Sequence, residues 1–459
     1  MNRIAGRRKA EAIGERDKLF TPTQLRTLIF PLIIEQILSI SVGMADTMMI
    51  SYAGEAAMSG VSLVDMINTL LINIFAAIAT GGAVILSQYI GRREKENACQ
   101  SASQLVMITV LISVGITGVV LLFQSPLLSL LYGTVAPDVM ENALVYLEIS
   151  AYSYPFLAVF NACAAIFRSF GNSKISMLVS VGMNLCNVAG NAILIFGFGM
   201  GAAGAAWASF GSRALAAVVM LVLVKNRHLP VFVDWRLVFC WKGALIRRIL
   251  FIAIPSGVEN GIFQLGRVLV VSIISNFGTE QIAANAVANS LDSMGIIAGQ
   301  AINLAMITVV GRCMGAGDAR QAQYYTHKLL KIASGSIFLT NVVLLSCLHP
   351  ILGLYSLSQE SYQLAVLLIW IHNGLAPFLW PFSFTLPNAL RAAGDVRFTM
   401  VVSIFSMFTF RILLSVILGI QLGWGALGVW IAMVVDWLFR ILMFVIRFHR
   451  GKWKTIQVI

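Results

Sequence analysis

Ten ionisable side chains stand inside stretches that are otherwise apolar: Glu35, Asp46, Asp65, Glu259, Asp292 and Asp436, with Arg213, Arg267, Arg411 and Arg440. A charge in hydrocarbon is costly, so each needs a partner or a task. Glu35 and Asp46 lie eleven residues apart, about three turns and roughly 16 Å on one helical stripe. Asp65 with Asn68, and Asn289 with Asp292, are spaced i,i+3 and share a helix face. Asn187 and Asn191, spaced i,i+4 in MNLCNVAGN, offer two amides on another. An isolated carboxylate beside amides can hold a proton or coordinate Na⁺, because burial disfavours the bare charge and a bound cation can replace the proton. Asp46 is the acid most suited to that chemistry, and no other metal site is expected. Asp436 and Arg411 read as structural, and Arg440, at i,i+4 from Asp436, as its ion-pair partner.

The elements that carry these residues are membrane spans. Apolar runs fall at 25–50, 58–90, 101–123, 141–167, 174–197, 201–224, 248–277, 281–311, 326–348, 360–388, 398–420 and 424–447. Each is long enough for a hydrocarbon core of roughly 30 Å. The fold class is therefore all-α and integral to the membrane, with twelve transmembrane helices. Residues 1–24 and 448–459 form terminal segments, and 225–247 a basic connector between the halves 25–224 and 248–447.

Lys and Arg set the orientation. They gather before the first run (Arg3, Arg7, Arg8, Lys9, Arg16, Lys18) and in alternate loops, such as Arg92, Arg93 and Lys95, or Arg391 and Arg397. The six opposite loops, near 51–57, 124–140, 197–201, 277–281, 349–360 and 420–424, contain neither residue. Both termini are expected in the cytoplasm of a multi-pass cell-membrane protein.

Laid on itself at one constant offset, the chain sets Pro31, Glu35, Gly54, Gly91 and Gly204 on Pro255, Glu259, Gly278, Gly315 and Gly428. An offset one position shorter sets Arg168 and Gly171 on Arg391 and Gly394. Two six-helix bundles follow, related by a pseudo-two-fold axis along the membrane normal, since an even number of spans enters both from one side. A cleft between two such lobes is the usual basis of alternating access. Glu35 and Glu259 are expected to line that cleft in its cytoplasmic half, where their summed potential attracts cations. Asp65, Asn68, Arg267, Asn289 and Asp292 are its other candidate lining residues. Arg267 either balances Glu259 or meets an anionic group; the sequence leaves both open.

Composition removes other classes. The chain is 58% hydrophobic and 11% charged, against about a quarter charged in soluble domains. The net charge of +12 is dispersed between apolar runs, so nucleic acid is not an expected partner. Six cysteines with no CxxC pair read as buried thiols, and five scattered histidines show no HxxxH spacing. An enzyme is therefore not expected. The 19 Met, 27 Phe and 9 Trp suit a pliable apolar site, although most should face lipid or core.

Four segments together resemble the multidrug and toxic compound extrusion (MATE) transporters over nearly the whole chain. Pro31 followed by MADTMMISYAG (Met44–Gly54) resembles that family's first-helix pattern. ALRAAGD (Ala389–Asp395) resembles its LRxxGD element, with IFRSFGN (Ile166–Asn172) as the first-half copy, and GMGAAGAAWAS (Gly199–Ser209) its Gly-rich entry to the sixth helix. The resemblance implies export of amphipathic, often cationic, small organic substrates in exchange for Na⁺ or H⁺. It requires no cofactor beyond that ion, and the chain is expected to act as a monomer in the lipid bilayer. It also implies a coupling site at Asp46, Asn187, Asn191 and Ser209, with Glu259 as a second-lobe acid. Asn191 is an amide where some members carry a second Asp, and the tenth run (Trp370, His372, Asn373, Trp380) supplies no acid to accompany Glu259. A lipid-linked oligosaccharide flippase of the same superfamily is the nearest alternative. A major-facilitator transporter shares the helix count, and GRREKEN (Gly91–Asn97) is similar to its loop motif. The acid in the first run and the two RxxG elements do not fit that family.

Overall fold

Backbone amides in hydrocarbon must be satisfied within their own segment, which leaves helices for a chain of this pattern. The computed structural model describes residues 18–133, 135–355 and 357–459. The basic residues between Arg3 and Arg16 lie outside them. Among the described residues, twelve helices are long and apolar enough to cross a membrane: spans 1 to 6 are Pro22–Ser51, Glu55–Gly91, Lys95–Tyr132, Pro137–Ser169, Ser173–Gly197 and Gly201–Val224. Spans 7 to 12 are Gly243–Phe277, Ile297–Gly315, Ala319–Ser346, Gln359–Ala392, Val396–Gln421 and Gly425–Arg450. No strand occurs among the described residues.

The repeat is visible in the backbone. Gly54 and Gly278 cap span 2 and its counterpart with φ of 105° and 97°, ψ of 163° and 166°, a conformation open essentially to glycine alone. The π-helical turn Ala192–Gly197 has its equivalent in Val416–Gln421, in the register that sets Pro31 on Pro255. Spans 1–6 and 7–12 thus form two bundles of matching architecture.

The eighth run departs from its expected course. Instead of one helix over 281–311, Thr279–Gly295 and Ile297–Gly315 meet at a break at Ile296. A Cβ on Gly295 would lie 2.4 Å from Asn341 Oδ1 and 2.8 Å from Asn373 Oδ1. Asn341 Nδ2 donates to the Gly295 carbonyl at 3.4 Å. Side chains from spans 9 and 10 thus occupy the space beside the break, whereas span 2 runs unbroken through the equivalent position.

The lobes meet at the end of the bundle where residues 18 and 459 lie, here called the terminal end. One core joins Leu25, Leu28, Ile29 and Leu32 of span 1 to Ala301–Cys313 of span 8, and another joins span 2 to Leu245–Ala253 of span 7. Toward the far end each lobe keeps a separate core. Spans 2 and 8 cross backbone to backbone: a Cβ on Gly91 would meet the Arg312 carbonyl oxygen at 2.1 Å, and one on Gly315 the Gln88 carbonyl oxygen at 2.0 Å. Gln88 Nε2 donates to Ala392 O at 2.8 Å, and Arg312 Nε to Ser169 O at 3.0 Å. These two hydrogen bonds are pseudo-symmetric mates, so each lobe clasps the other in the same way.

The thiols need correction. Cys99, Cys163 and Cys313 are buried, but Cys186, Cys240 and Cys347 are exposed. Cys186, on span 5, is apolar enough to face lipid, whereas Cys240 lies in the connector between spans 6 and 7.

Candidate functional site

The first-lobe site assembles from spans 1, 5 and 6. Asn191 Nδ2 donates to Asp46 Oδ1 at 2.6 Å. With its amide oriented to satisfy both neighbours, Asn187 donates to Asp46 Oδ1 at 2.8 Å and Oδ2 at 3.2 Å and accepts from Ser209 Oγ at 3.0 Å. The i,i+4 spacing puts both amides on the face of span 5 that meets span 1. Asn187 and Asn191 are buried, Asp46 is half-buried, and Met44, Thr47 and Met48 around it are exposed. Asn191 Oδ1 is buried without a hydrogen-bond partner. The carboxylate thus receives neutral donors and, among the described residues, no guanidinium or ammonium in contact. The Arg213 charge acts on both Asp46 and Asp65, while its Nη1 donates to Ser153 Oγ at 2.7 Å.

Asp65 sits beside this site on span 2, at the end of a relay. Tyr154 donates to Asn68 Oδ1 at 2.7 Å, Asn68 Nδ2 to Asp65 Oδ1 at 3.3 Å, and Tyr146 to the same oxygen at 3.4 Å. Sequence reasoning found the i,i+3 pair but missed the two tyrosines of span 4, which the fold alone brings there.

The second lobe treats its ionisable groups differently. Asp292 does not pair with Asn289; its Oδ1 lies 3.2 Å from His372 Nδ1, which is also 3.0 Å from Asn373 Oδ1. The ring packs edge-on against Trp437, centroids 4.9 Å apart. Arg411 Nη1 lies 3.5 Å from Asp436 Oδ2, and Ser406 Oγ donates to Asp436 Oδ1. Arg440, expected on Asp436, points instead to Glu259 at 3.9 Å and covers the Phe384 ring at 4.5 Å. Arg267 and Asn289 come together with Arg411, Asn285 and Trp430 around a cavity of about 130 Å³. Arg267 therefore does not balance Glu259, and among the described residues it makes no hydrogen bond or ion pair.

Glu35 and Glu259 occupy equivalent places, and each meets the arginine of its own lobe's RxxG element. Arg168 Nη1 lies 3.6 Å from Glu35 Oε1, and Ser176 Oγ donates to Glu35 Oε2 at 3.2 Å. Arg391 Nη2 lies 2.6 Å from Glu259 Oε1, and Ser403 Oγ donates to the same oxygen at 2.6 Å. The summed negative potential expected of the two glutamates is thus offset by Arg168 and Arg391. The sequence had used both arginines for the repeat and the family motifs but had not paired them with the glutamates; the repeat, which sets Glu35 on Glu259 and Arg168 on Arg391, was the signal that could have done so.

The family model described as MatE matches residues 31–193 and 255–417. The "Uncharacterized transporter YisQ" of Bacillus subtilis (strain 168) is 31% identical over 433 residues, covering 93% of this chain and 94% of that protein. The "Probable multidrug resistance protein NorM" of Thermotoga maritima is 25% identical over 452 residues, covering 95% and 94%. A structure described as the outward-facing conformation of a multidrug resistance MATE family transporter shares the fold with a TM-score of 0.88 at 20% identity, over 94% of this chain and 96% of that one.

Proposed function

The chain belongs to the MATE family of membrane transporters, and on that basis we propose that it is a secondary antiporter. It exports amphipathic, chiefly cationic organic compounds in exchange for H⁺ or Na⁺. The observation that carries this reading is Asp46, a carboxylate held by two buried amides with no cationic side chain in contact among the described residues. A proton or Na⁺ arriving from the medium completes such a site, and the Asn187–Ser209 contact lets its occupancy reach span 6. Both termini lie in the cytoplasm in this reading, so the sealed terminal end faces inward and Asp46 is reached from outside. Entry of the ion at Asp46 then favours release of cargo before the lobes rock. One chain contains both lobes and the cleft, so a monomer suffices.

Cargo meets a polarised cleft. Asp46 and Asp65 present acid from the first lobe, while Arg267, without an ion-pair partner among the described residues, presents base at the second-lobe cavity. That second observation favours cargo carrying an anionic group beside its cation, and it keeps a lipid-linked anionic substrate as the alternative.

Proteoliposomes with an imposed Na⁺ or H⁺ gradient test the reading, with ethidium as the amphipathic cation. Uptake should follow one gradient and collapse with it; flux indifferent to both gradients would refute antiport. Cysteine at Ala136 should label from outside and at Asn226 only from inside, and reversed labelling would invert the direction of transport.

A further inference from the structure

Two grooves run along the seams between the lobes, and pseudo-symmetry makes them counterparts. The first, of about 310 Å³, lies between spans 1 and 9 and is walled by Leu25, Ile29, Ile33 and Ile332, with Arg26 and Lys328 at its terminal end. The second, of about 370 Å³, lies along span 7, with Leu250, Ala253, Ile254 and Gly257 on its wall. The register that sets Pro31 on Pro255 also sets Arg26 on Leu250 and Lys328 on Gln104. Only the first groove therefore carries cations.

The two seams also differ in what covers them. At the second, the chain supplies its own cover: buried Gln104 donates to Leu237 O at 2.8 Å and Cys240 O at 2.7 Å and accepts from Lys242 N at 2.9 Å, which ties the connector across span 3. Val231, Val233 and Val238 of the same segment pack into the core that joins span 2 to span 7. At the first seam, no described segment lies over Arg26, which is exposed, or Lys328, which is half-buried. Neither makes a hydrogen bond or ion pair among the described residues. Both stand close to the level at which the Phe20 backbone bonds Tyr325 Oη, N at 3.0 Å and O at 2.8 Å, near the end of both spans. That is headgroup depth, where long cationic side chains reach for phosphate while their stems stay apolar.

We propose that this groove is a binding site for one anionic phospholipid. Its phosphate sits between Arg26 and Lys328, and an acyl chain lies along Leu25, Ile29, Ile33 and Ile332. The chemistry selects an anionic headgroup over a zwitterionic one, because no carboxylate lines the groove to receive a choline or ethanolamine. One wall belongs to each lobe, so the lipid has more to bind when spans 1 and 9 adjoin. By linkage it favours the state sealed at the terminal end. The inference concerns a lipid on the outer wall and does not depend on what cargo the cleft carries.

The full chain in nanodiscs tests it, with dioleoylphosphatidylglycerol in a phosphatidylcholine background as the probe and retained lipid read by native mass spectrometry. The variant R26Q/K328Q should retain phosphatidylglycerol about 30-fold more weakly than the unaltered chain, given about 1 kcal/mol for each of the two basic residues at a membrane surface. The control K225Q/R227Q, which removes two exposed cations from the end of span 6 and the loop beyond it, should retain it normally. Spin labels at Ala53 and Asn276 should report a larger far-end separation with phosphatidylglycerol in the unaltered chain and no change in R26Q/K328Q. Equal retention by R26Q/K328Q, or an equal loss in the control, would overturn the site. A rise in retention on deleting residues 2–17 would show that the chain's own N-terminal segment is the occupant. An unaltered far-end separation would overturn the linkage.

Discussion

The two lobes answer the same electrostatic problem in opposite ways. Superposing the halves in sequence, with Pro31 on Pro255, sets Asp46 on Val270, Asn187 on Arg411 and Ser212 on Asp436. Where span 5 offers amides to an acid from span 1, span 11 offers a guanidinium to an acid from span 12. The second lobe carries its own counter-cation. At Asp46 the first lobe places no cation in contact among the described residues, Arg213 acting only from a distance, and Asp46 opens to an exposed surface. A carboxylate that needs a cation from the medium can report ion gradients, whereas one with a covalently attached cation cannot. On the function proposed above, the contrast puts coupling in the first lobe and leaves the Arg411–Asp436 pair a structural role.

Asp46→Asn should have the largest effect. Side-chain volume barely changes, so the fold should persist, while gradient-driven export should fall to the background of empty liposomes. Export at the unaltered rate would move coupling to another carboxylate and dissolve the contrast between the lobes.

Arg411→Gln sharpens the contrast from the other side, because it gives the second lobe an amide beside Asp436. Removing one member of a buried ion pair costs about 3–5 kcal/mol, so thermal stability should drop. Asp436 should then bind a proton or Na⁺, read as stability that rises with acid or with Na⁺. Stability insensitive to both would mean that Arg411 is not what keeps the ion out.

Arg391→Leu should lower stability by up to a similar amount, about 3–5 kcal/mol, by leaving Glu259 only Ser403 and the more distant Arg440 at 3.9 Å. Arg168→Leu should cost less, since its contact with Glu35 is longer, 3.6 Å against 2.6 Å, and the Glu35 side chain is 12% exposed against 6% for Glu259. Thermal melts of the two variants in one detergent compare them, and equal losses would contradict the geometry.

Ser209→Ala should have the smallest effect. It deletes one hydrogen bond to the Asn187 amide, worth about 1 kcal/mol, and should weaken ion affinity about fivefold in a flux titration. No change would place Ser209 outside the coupling network.

Much of this was legible in the residues. The Asp65–Asn68 and Asn187–Asn191 spacings are properties of one helix, and they survived into the structure as shared faces. The exposed thiols and the true partners of Asp292, Glu259 and Arg440 were not legible, because each depends on which helix is nearest in space. Arg440 and Asp436 share a helix face at i,i+4, yet Arg440 reaches Glu259 on span 7, while Asp436 already has Arg411 and Ser406.

By itself the sequence determined the twelve spans, because apolar length and the need to satisfy backbone amides in hydrocarbon leave one solution. It also determined the two-lobe repeat, whose glycines and prolines recur where backbone conformation or close approach demands them. Only the tertiary structure decided the break at Ile296, where Asn341 and Asn373 crowd Gly295 from other spans. It alone decided the clasp in which Gln88 and Arg312 bond across the lobes, and the difference between Asp436, which meets Arg411, and Asp46, which meets two amides. Such choices rest on distances between residues far apart in the chain, and local pattern carries no record of them.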